Sequence, residues 1–228
     1  YIIFVMYAIK VSDKEYPSNL KNIYRYPNVL YCKGNKEILS KRLITIVGTR
    51  TMSTYGEWVV RNFLSSVPKE LNVAFVSGLA IGIDSQVHQV CLEKGLATVA
   101  VIAGGIDKGF PEQNRGVYEE ICKKGIVAAE FPQGTIIKKG MFPIRNRILA
   151  GLSDTTIVIE GGLESGSLLT ANLALEYGRD VFVVPGDITR ESSKGCNYLI
   201  KQGADIITGV EDFLDILGID GEQIRIGI

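Results

Sequence analysis

The segment LITIVGTR at positions 43–50 sets the pattern for most of the chain. Five apolar or β-branched residues run without a charge into Gly48, and Thr49-Arg50 then lead to Ser53, a residue suited to cap a helix. A run that is apolar on both faces reads as a strand buried between two layers. Six further runs repeat the design: NVAFVS (72–77), TVAVIA (98–103), IVAAE (126–130), TTIVIE (155–160), DVFVVP (180–185) and DIIT (205–208). Amphipathic segments separate them, which predicts helices at 53–67, 82–95, 113–124, 143–152, 165–178, 195–203 and 210–217, several of them closed by a glycine. This alternation predicts an α/β fold, an extended Rossmann-like doubly wound sheet that is mostly parallel and carries helices on both faces. In such sheets the ligand binds at the carboxyl ends of the strands, where loops run into helix N-termini.

Residues 1–42 read differently. They hold six of the ten tyrosines, two Tyr-Pro turns and little periodicity, so they are expected to form an appendage packed on a core of residues 43–218, with 219–228 as a tail. At 228 residues, 46% of them hydrophobic, the chain can bury a core without staples. The four cysteines lie far apart and His88 is the single histidine, which argues against disulfide and zinc frameworks. No apolar run is long enough to span a bilayer, and the opening YIIFVMYAIK lacks the marks of a signal peptide, so no membrane partner and a cytoplasmic location are expected. Lys and Arg outnumber Asp and Glu by 20 to 12 in residues 1–150 and are outnumbered 5 to 13 in residues 151–228, giving +8 and −8. An anionic partner for an electropositive region follows, although folding can interleave the two halves.

The loops after the strands carry the chemistry. Gly48, Thr49 and Arg50 offer a close backbone approach, helix N–H groups and a guanidinium fork for phosphate, or else a turn glycine beside a solvated arginine. Ser77 and Gly78 open a Gly-x-x-x-Gly turn, which is not the Gly-x-Gly-x-x-Gly of dinucleotide folds, so no nicotinamide cofactor is expected. Asp84 and His88, one turn apart, read better as capping and packing residues than as a metal pair. In 136–147, IIKKGMFPIRNR, four cations and no acid surround Phe142, the composition of a groove in which phosphates meet cations and a base stacks on a ring. The stretch 160–170, EGGLESGSLLT, has P-loop glycine spacing, but Ser167 stands where the phosphate-binding lysine belongs. What remains is a turn of Ser165, Gly166 and Ser167 able to hold phosphate through backbone donors, with Glu164 an awkward negative neighbour.

With these segments in order, the chain resembles the DNA processing protein A family, also called DprA or Smf. The matching stretches are YPSNL, NVLYCKGN, IVGTR, VSGLAIGIDSQVH, FPEQN, EFPQGT, FPIRNRILAGLS, IEGGLESGSLLTANLALEYGR, VVPGD and GCNYLIKQGA, over residues 16–208. The resemblance implies a protein with no catalytic step and no cofactor that binds single-stranded DNA, forms a homodimer, and loads RecA recombinase while displacing single-strand binding protein during natural transformation. It implies Arg50, Lys139 and Phe142 as the DNA-binding residues, with Arg145, Asn146 and Arg147 in support. The helical and winged-helix modules that often flank this family's core are not expected in a chain of this length. A rival resemblance, weaker, links 160–170 to the PGGxGTxxE loop of lysine-decarboxylase-like phosphoribohydrolases, which cleave nucleoside monophosphates. There Glu160 replaces the proline, Ser167 takes the threonine position and Thr170 stands where the glutamate is required.

Overall fold

Each of the runs that reads as apolar on both faces lies inside a single nine-stranded sheet. The structure, a computed structural model, describes residues 6–107 and 111–219. Its strands are β1 (Met6–Lys10), β2 (Val29–Gly34), β3 (Arg42–Gly48), β4 (Val73–Ser77), β5 (Ala97–Gly105), β6 (Ile126–Phe131), β7 (Thr155–Ile159), β8 (Asp180–Val183) and β9 (Asp205–Ile206). The helices are α1 (Thr54–Ser65), α2 (Ile83–Lys94), α3 (Arg115–Lys124), α4 (Met141–Leu152), α5 (Gly166–Glu176), α6 (Glu191–Lys201) and α7 (Val210–Ile216). Every residue of β4 and β7 is buried, as strands covered on both sides must be.

The strand order is β1-β2-β6-β5-β4-β3-β7-β8-β9, with β3 to β9 pairing in parallel. From β3 the chain winds outward through β4 to β6, then returns to place β7 on the other side of β3. The loops leaving β3 and β7 therefore run to opposite faces and open a crevice between them. One face buries Leu20, Ile148, Leu149, Leu168 and Leu199 from the N-terminal region, α4, α5 and α6. The other buries Val60, Phe63, Val87, Phe213 and Leu214 from α1, α2 and α7. Phe213 stacks on Phe63 with ring centroids 4.8 Å apart and lies 6.3 Å from Phe75 on β4. Among the described residues no helix is long and apolar enough to cross a membrane.

Two expectations need correcting. The first 42 residues do more than pack on the core, because β1 and β2 continue the sheet: β2 pairs antiparallel with β6, Tyr31 opposite Ala129 and Cys32 opposite Ala128. The pattern is legible only afterwards, since Leu30 and Cys32 are buried while their neighbours are half-covered, and the partner that makes VLYCKG a strand lies nearly a hundred residues downstream. Helices α4 and α6 also start earlier than expected, at Met141 and Glu191. Of the expected tail at 219–228, Ile219 is buried against the α7 side of the core, and the rest lies outside the described residues.

Truncating Phe213 removes the ring that ties α7 to α1 and β4. Phe213→Ala should lower the unfolding free energy by about 3–5 kcal/mol, measured by urea titration of the far-ultraviolet dichroism.

Candidate nucleic-acid interface

At the carboxyl ends of β3 and β7 the diverging loops frame a cleft of about 900 Å³. Arg50 enters from the loop after β3, Lys139 from the turn before α4, and Phe142 from the first turn of α4. Arg50 and Lys139 are exposed. The Arg50 guanidinium carbon sits 5.4 Å from the centroid of the Phe142 ring, a cation–π contact that holds both side chains at the mouth of the cleft. Three residues chosen on cationic or aromatic character thus line one cavity. An exposed cation and a ring in contact can engage a phosphate and a base of the same strand.

The cluster of cations in 136–147 divides, however. Arg145, expected as a supporting DNA contact, is 6% exposed and wholly engaged inside the protein. Its Nη1 donates to the carbonyls of Gly78 and, at 2.7 Å, Val101, and its Nε donates to Asn146 Oδ1 at 3.1 Å. Asn146 is equally buried and donates from Nδ2 to the Gly166 carbonyl at 3.1 Å, so it joins α4 to the start of α5. Arg147 turns to the other side of α4 and pairs with Glu130 at the end of β6; its side chain is 14% exposed. The reason lies in helical geometry: successive residues of α4 point about 100° apart, so three neighbouring polar residues cannot all face one strand of DNA. Arg145 and Asn146 form the wall behind the cleft, and Arg147 lies outside it.

The phosphate-loop candidates divide in the same way. Gly48 and Thr49 line the cleft, as do Ser165, Gly166 and Ser167. Ser165 caps α5, its Oγ accepting from Leu168 N at 3.3 Å and lying 2.8 Å from the Ser167 hydroxyl. The first turn of α5 therefore faces the cleft with the positive end of its dipole. Ser77 and Gly78 do not belong to the cleft, which corrects their assignment. Ser77 is fully buried and donates to the Ile46 carbonyl, and a Cβ on Gly78 would stand 2.0 Å from Arg145 Nη1. That glycine serves the internal arginine and leaves no room for a ligand.

Asp84 and His88 act in packing, as expected. Asp84 lies fully buried near Arg145; burial pushes its carboxyl up, and the Arg145 charge with the Ala80 and Gly48 backbone opposes this. Burial also drives the His88 imidazole down to about 3, so it stays neutral. Its Nδ1 donates to Thr98 Oγ1 at 2.8 Å, because that hydroxyl spends its own proton on the Phe75 carbonyl. Among the described residues no three of His, Cys, Asp and Glu gather in a way that would hold a metal ion.

Sequence reasoning passed over Glu160. It is buried with a φ of 55°, and its carboxylate accepts from Ser53 N at 3.0 Å and Ser53 Oγ at 2.5 Å. Glu160 thereby fastens the residue that caps α1 across the crevice, and with it the loop that carries Arg50. The available signal was a carboxylate closing an otherwise apolar strand, a position with a reason to exist only if a donor faces it.

A family model described as DNA recombination-mediator protein A matches residues 7–218. The chain belongs to that family. It is 42% identical over 211 residues to the DNA processing protein DprA of Bacillus subtilis, covering 92% of this chain and 71% of the relative. It is 36% identical over 212 residues to protein Smf of Escherichia coli, covering 92% and 56%. Among solved structures, DNA processing protein A from Streptococcus pneumoniae superposes with a TM-score of 0.87 at 38% identity, over 92% of this chain and 74% of that one. The protein from Helicobacter pylori, whose structure is described in terms of a single-stranded DNA binding mode, superposes with a TM-score of 0.83 at 28% identity, over 94% and 96%. A molybdenum cofactor binding protein from Rippkaea orientalis, at a TM-score of 0.54 and 16% identity over 81% of this chain and 98% of that one, shares the fold alone.

Two arginines that line the same cleft, one exposed and one buried, should behave in opposite ways. Arg145→Met strands buried acceptors and Asp84, and should destabilise the protein by about 3–5 kcal/mol. Arg50→Ala removes an exposed side chain and should stay within about 0.5 kcal/mol of the native protein in the same urea titration.

Proposed function

We propose that this protein binds single-stranded DNA with little dependence on sequence and performs no catalytic step. The observation that carries the reading is the meeting of Arg50, Lys139 and Phe142 at one cleft. Arg50 and Lys139 hold phosphates, the N-terminus of α5 adds backbone donors, and Phe142 stacks a base, worth about 1–3 kcal/mol. The half-buried Phe142 ring in the cleft favours unpaired nucleotides, because a duplex keeps its base faces stacked against each other. The described binding mode of the Helicobacter pylori relative agrees with this.

We further propose a wider role, to which the family's description as a DNA recombination mediator lends support: this protein acts in natural transformation as a homodimer in the cytoplasm, displacing single-strand binding protein and passing the strand to RecA. A mediator must keep its grip on DNA modest enough to yield the strand, and a site built on a few exposed cations meets that need. The rival hydrolytic reading finds less support. At the position where a phosphoribohydrolase needs its glutamate, Thr170 is buried and donates its hydroxyl to the Gly166 carbonyl. No carboxylate there can stabilise a sugar cation, so incubation with AMP should release no adenine.

If three or four phosphates are neutralised, the logarithm of affinity for poly-dT should fall against the logarithm of salt with a slope of about −2 to −3. Arg50→Ala and Lys139→Ala should each weaken binding to all sequences alike and flatten that slope by about 0.7. Tighter binding to duplex than to poly-dT in the same mobility-shift titration, or native affinity in both variants, would overturn the assignment. For the mediator role, the native protein should speed RecA filament growth on strands coated with single-strand binding protein. Arg50→Ala should not, and light scattering on the native chain should give twice the monomer mass.

A further inference from the structure

We propose that Glu160 is the positioning residue for Arg50: its grip on Ser53 fixes where the guanidinium stands, and the affinity for a single strand depends on that grip although Glu160 touches no nucleotide. The inference rests on the single-strand reading above and adds the residue that preorganises one of its two cations. Glu160 follows β7 in a left-handed backbone conformation, φ 55°, which a residue other than glycine adopts at a cost. It is 4% exposed, and among the described residues it is not part of the cleft lining. Its carboxylate accepts from Ser53 N at 3.0 Å and Ser53 Oγ at 2.5 Å. Ser53 Oγ in turn accepts from Gly56 N at 3.2 Å, so the carboxylate meets the positive end of the α1 dipole. Gly56 makes the room, since a Cβ on it would stand 2.2 Å from Glu160 Oε2. A strained residue with a buried charge persists where the surroundings over-determine it, and here what they determine is the place of Ser53.

Arg50 lies between two anchors. On one side the Thr49 carbonyl accepts from Ile83 N at 3.1 Å, and Gly82 lets the two backbones meet, because a Cβ on it would stand 2.3 Å from the Thr49 oxygen. On the other side is Ser53, held across the crevice by Glu160. Only residues 50–52 span the gap, and inside it Thr51 N bonds no further than Thr49 Oγ1. A span so short is stiff while both ends are fixed. With the Ser53 end released, the Thr49 anchor and the half-buried Met52 side chain remain, and the surface contact with Phe142 is too weak to hold the arginine by itself. Arg50 then has more freedom to lose when it meets a phosphate, and affinity falls. Lys139 comes from the turn before α4 and takes no part in this bracing.

The test measures the affinity of the whole protein for labelled oligo-dT by fluorescence anisotropy at low salt, with Glu160→Gln made in three backgrounds. The amide keeps the shape of the side chain but loses the charge and one of its two acceptors. In the native background it should weaken binding about fivefold. In the Arg50→Ala background it should change affinity by less than about twofold, since no guanidinium is left to position. In the Lys139→Ala background it should again cost about fivefold. A loss of the same factor in all three would show a merely structural role and overturn the inference, as would native affinity in Glu160→Gln; either result leaves the single-strand reading standing. Should the glutamine variant be poorly folded by far-ultraviolet dichroism, Glu160→Asp, which draws the carboxylate back by one methylene, replaces it in the same comparison with the same expected pattern. Failure of the native protein to bind oligo-dT would remove the single-strand reading, and this inference with it.

Discussion

Arg145 is the constraint on which the upper rim of the sheet depends. A guanidinium in the interior must have its donors met, and here they are met by the carbonyls of Gly78, just past β4, and Val101, within β5, with Asp84 on α2 balancing the charge. Those partners come from three separate elements, so α4 has a single register and rotation in which the arginine is satisfied. That register sets Phe142, one turn earlier on the helix, against Arg50, and turns Asn146 to the first turn of α5. Losing the buried charge therefore disturbs the cleft without touching a ligand, which separates its role from that of Arg50. Glu160 performs the matching task on the other side of the crevice by tying Ser53 to the end of β7.

The three carboxylates, two arginines and one lysine at this rim show how one charge pattern serves opposite ends. Asp84 and Glu160 are buried and answered by donors inside the protein; Arg145 is buried and answered by carbonyls. Arg50 and Lys139 are left at the surface, where their field is available to an anion. Glu164 stays exposed as well, and it breaks the uniformity of the field at one point. Net charge along the chain, +8 before residue 151 and −8 after it, describes none of this. The cleft draws its cations from the first part and its α5 wall from the second, because β7 returns to lie beside β3.

Much of the architecture was legible in residue order. Seven apolar runs became β3 to β9 and seven amphipathic segments became α1 to α7, with ends displaced by a few residues. Leading turns such as Gly48-Thr49-Arg50 marked the correct edge of the sheet. The segment 1–42 was misjudged because β1 and β2 show little alternation and take their identity from hydrogen bonds to β6. In the site, Arg50, Lys139 and Phe142 line one cleft, while Arg145, Asn146 and Arg147, which composition groups with them, are spent on contacts inside the protein. Composition marks a cationic helix; it does not say which side of the helix meets carbonyls.

Local chemistry determined the strand and helix pattern, the sheet class and the loops in which a ligand site would form. Periods of two and 3.6 residues are properties of the backbone itself, read from any short window. Tertiary structure alone decided which polar groups are spent on the fold and which remain for a partner. That choice depends on acceptors brought from elsewhere in the chain: Gly78 and Val101 claim Arg145, Glu130 claims Arg147, and Phe142 meets Arg50 at the surface. A buried donor has to be satisfied and an exposed one does not, so burial, which no short window of sequence contains, separates scaffold from site.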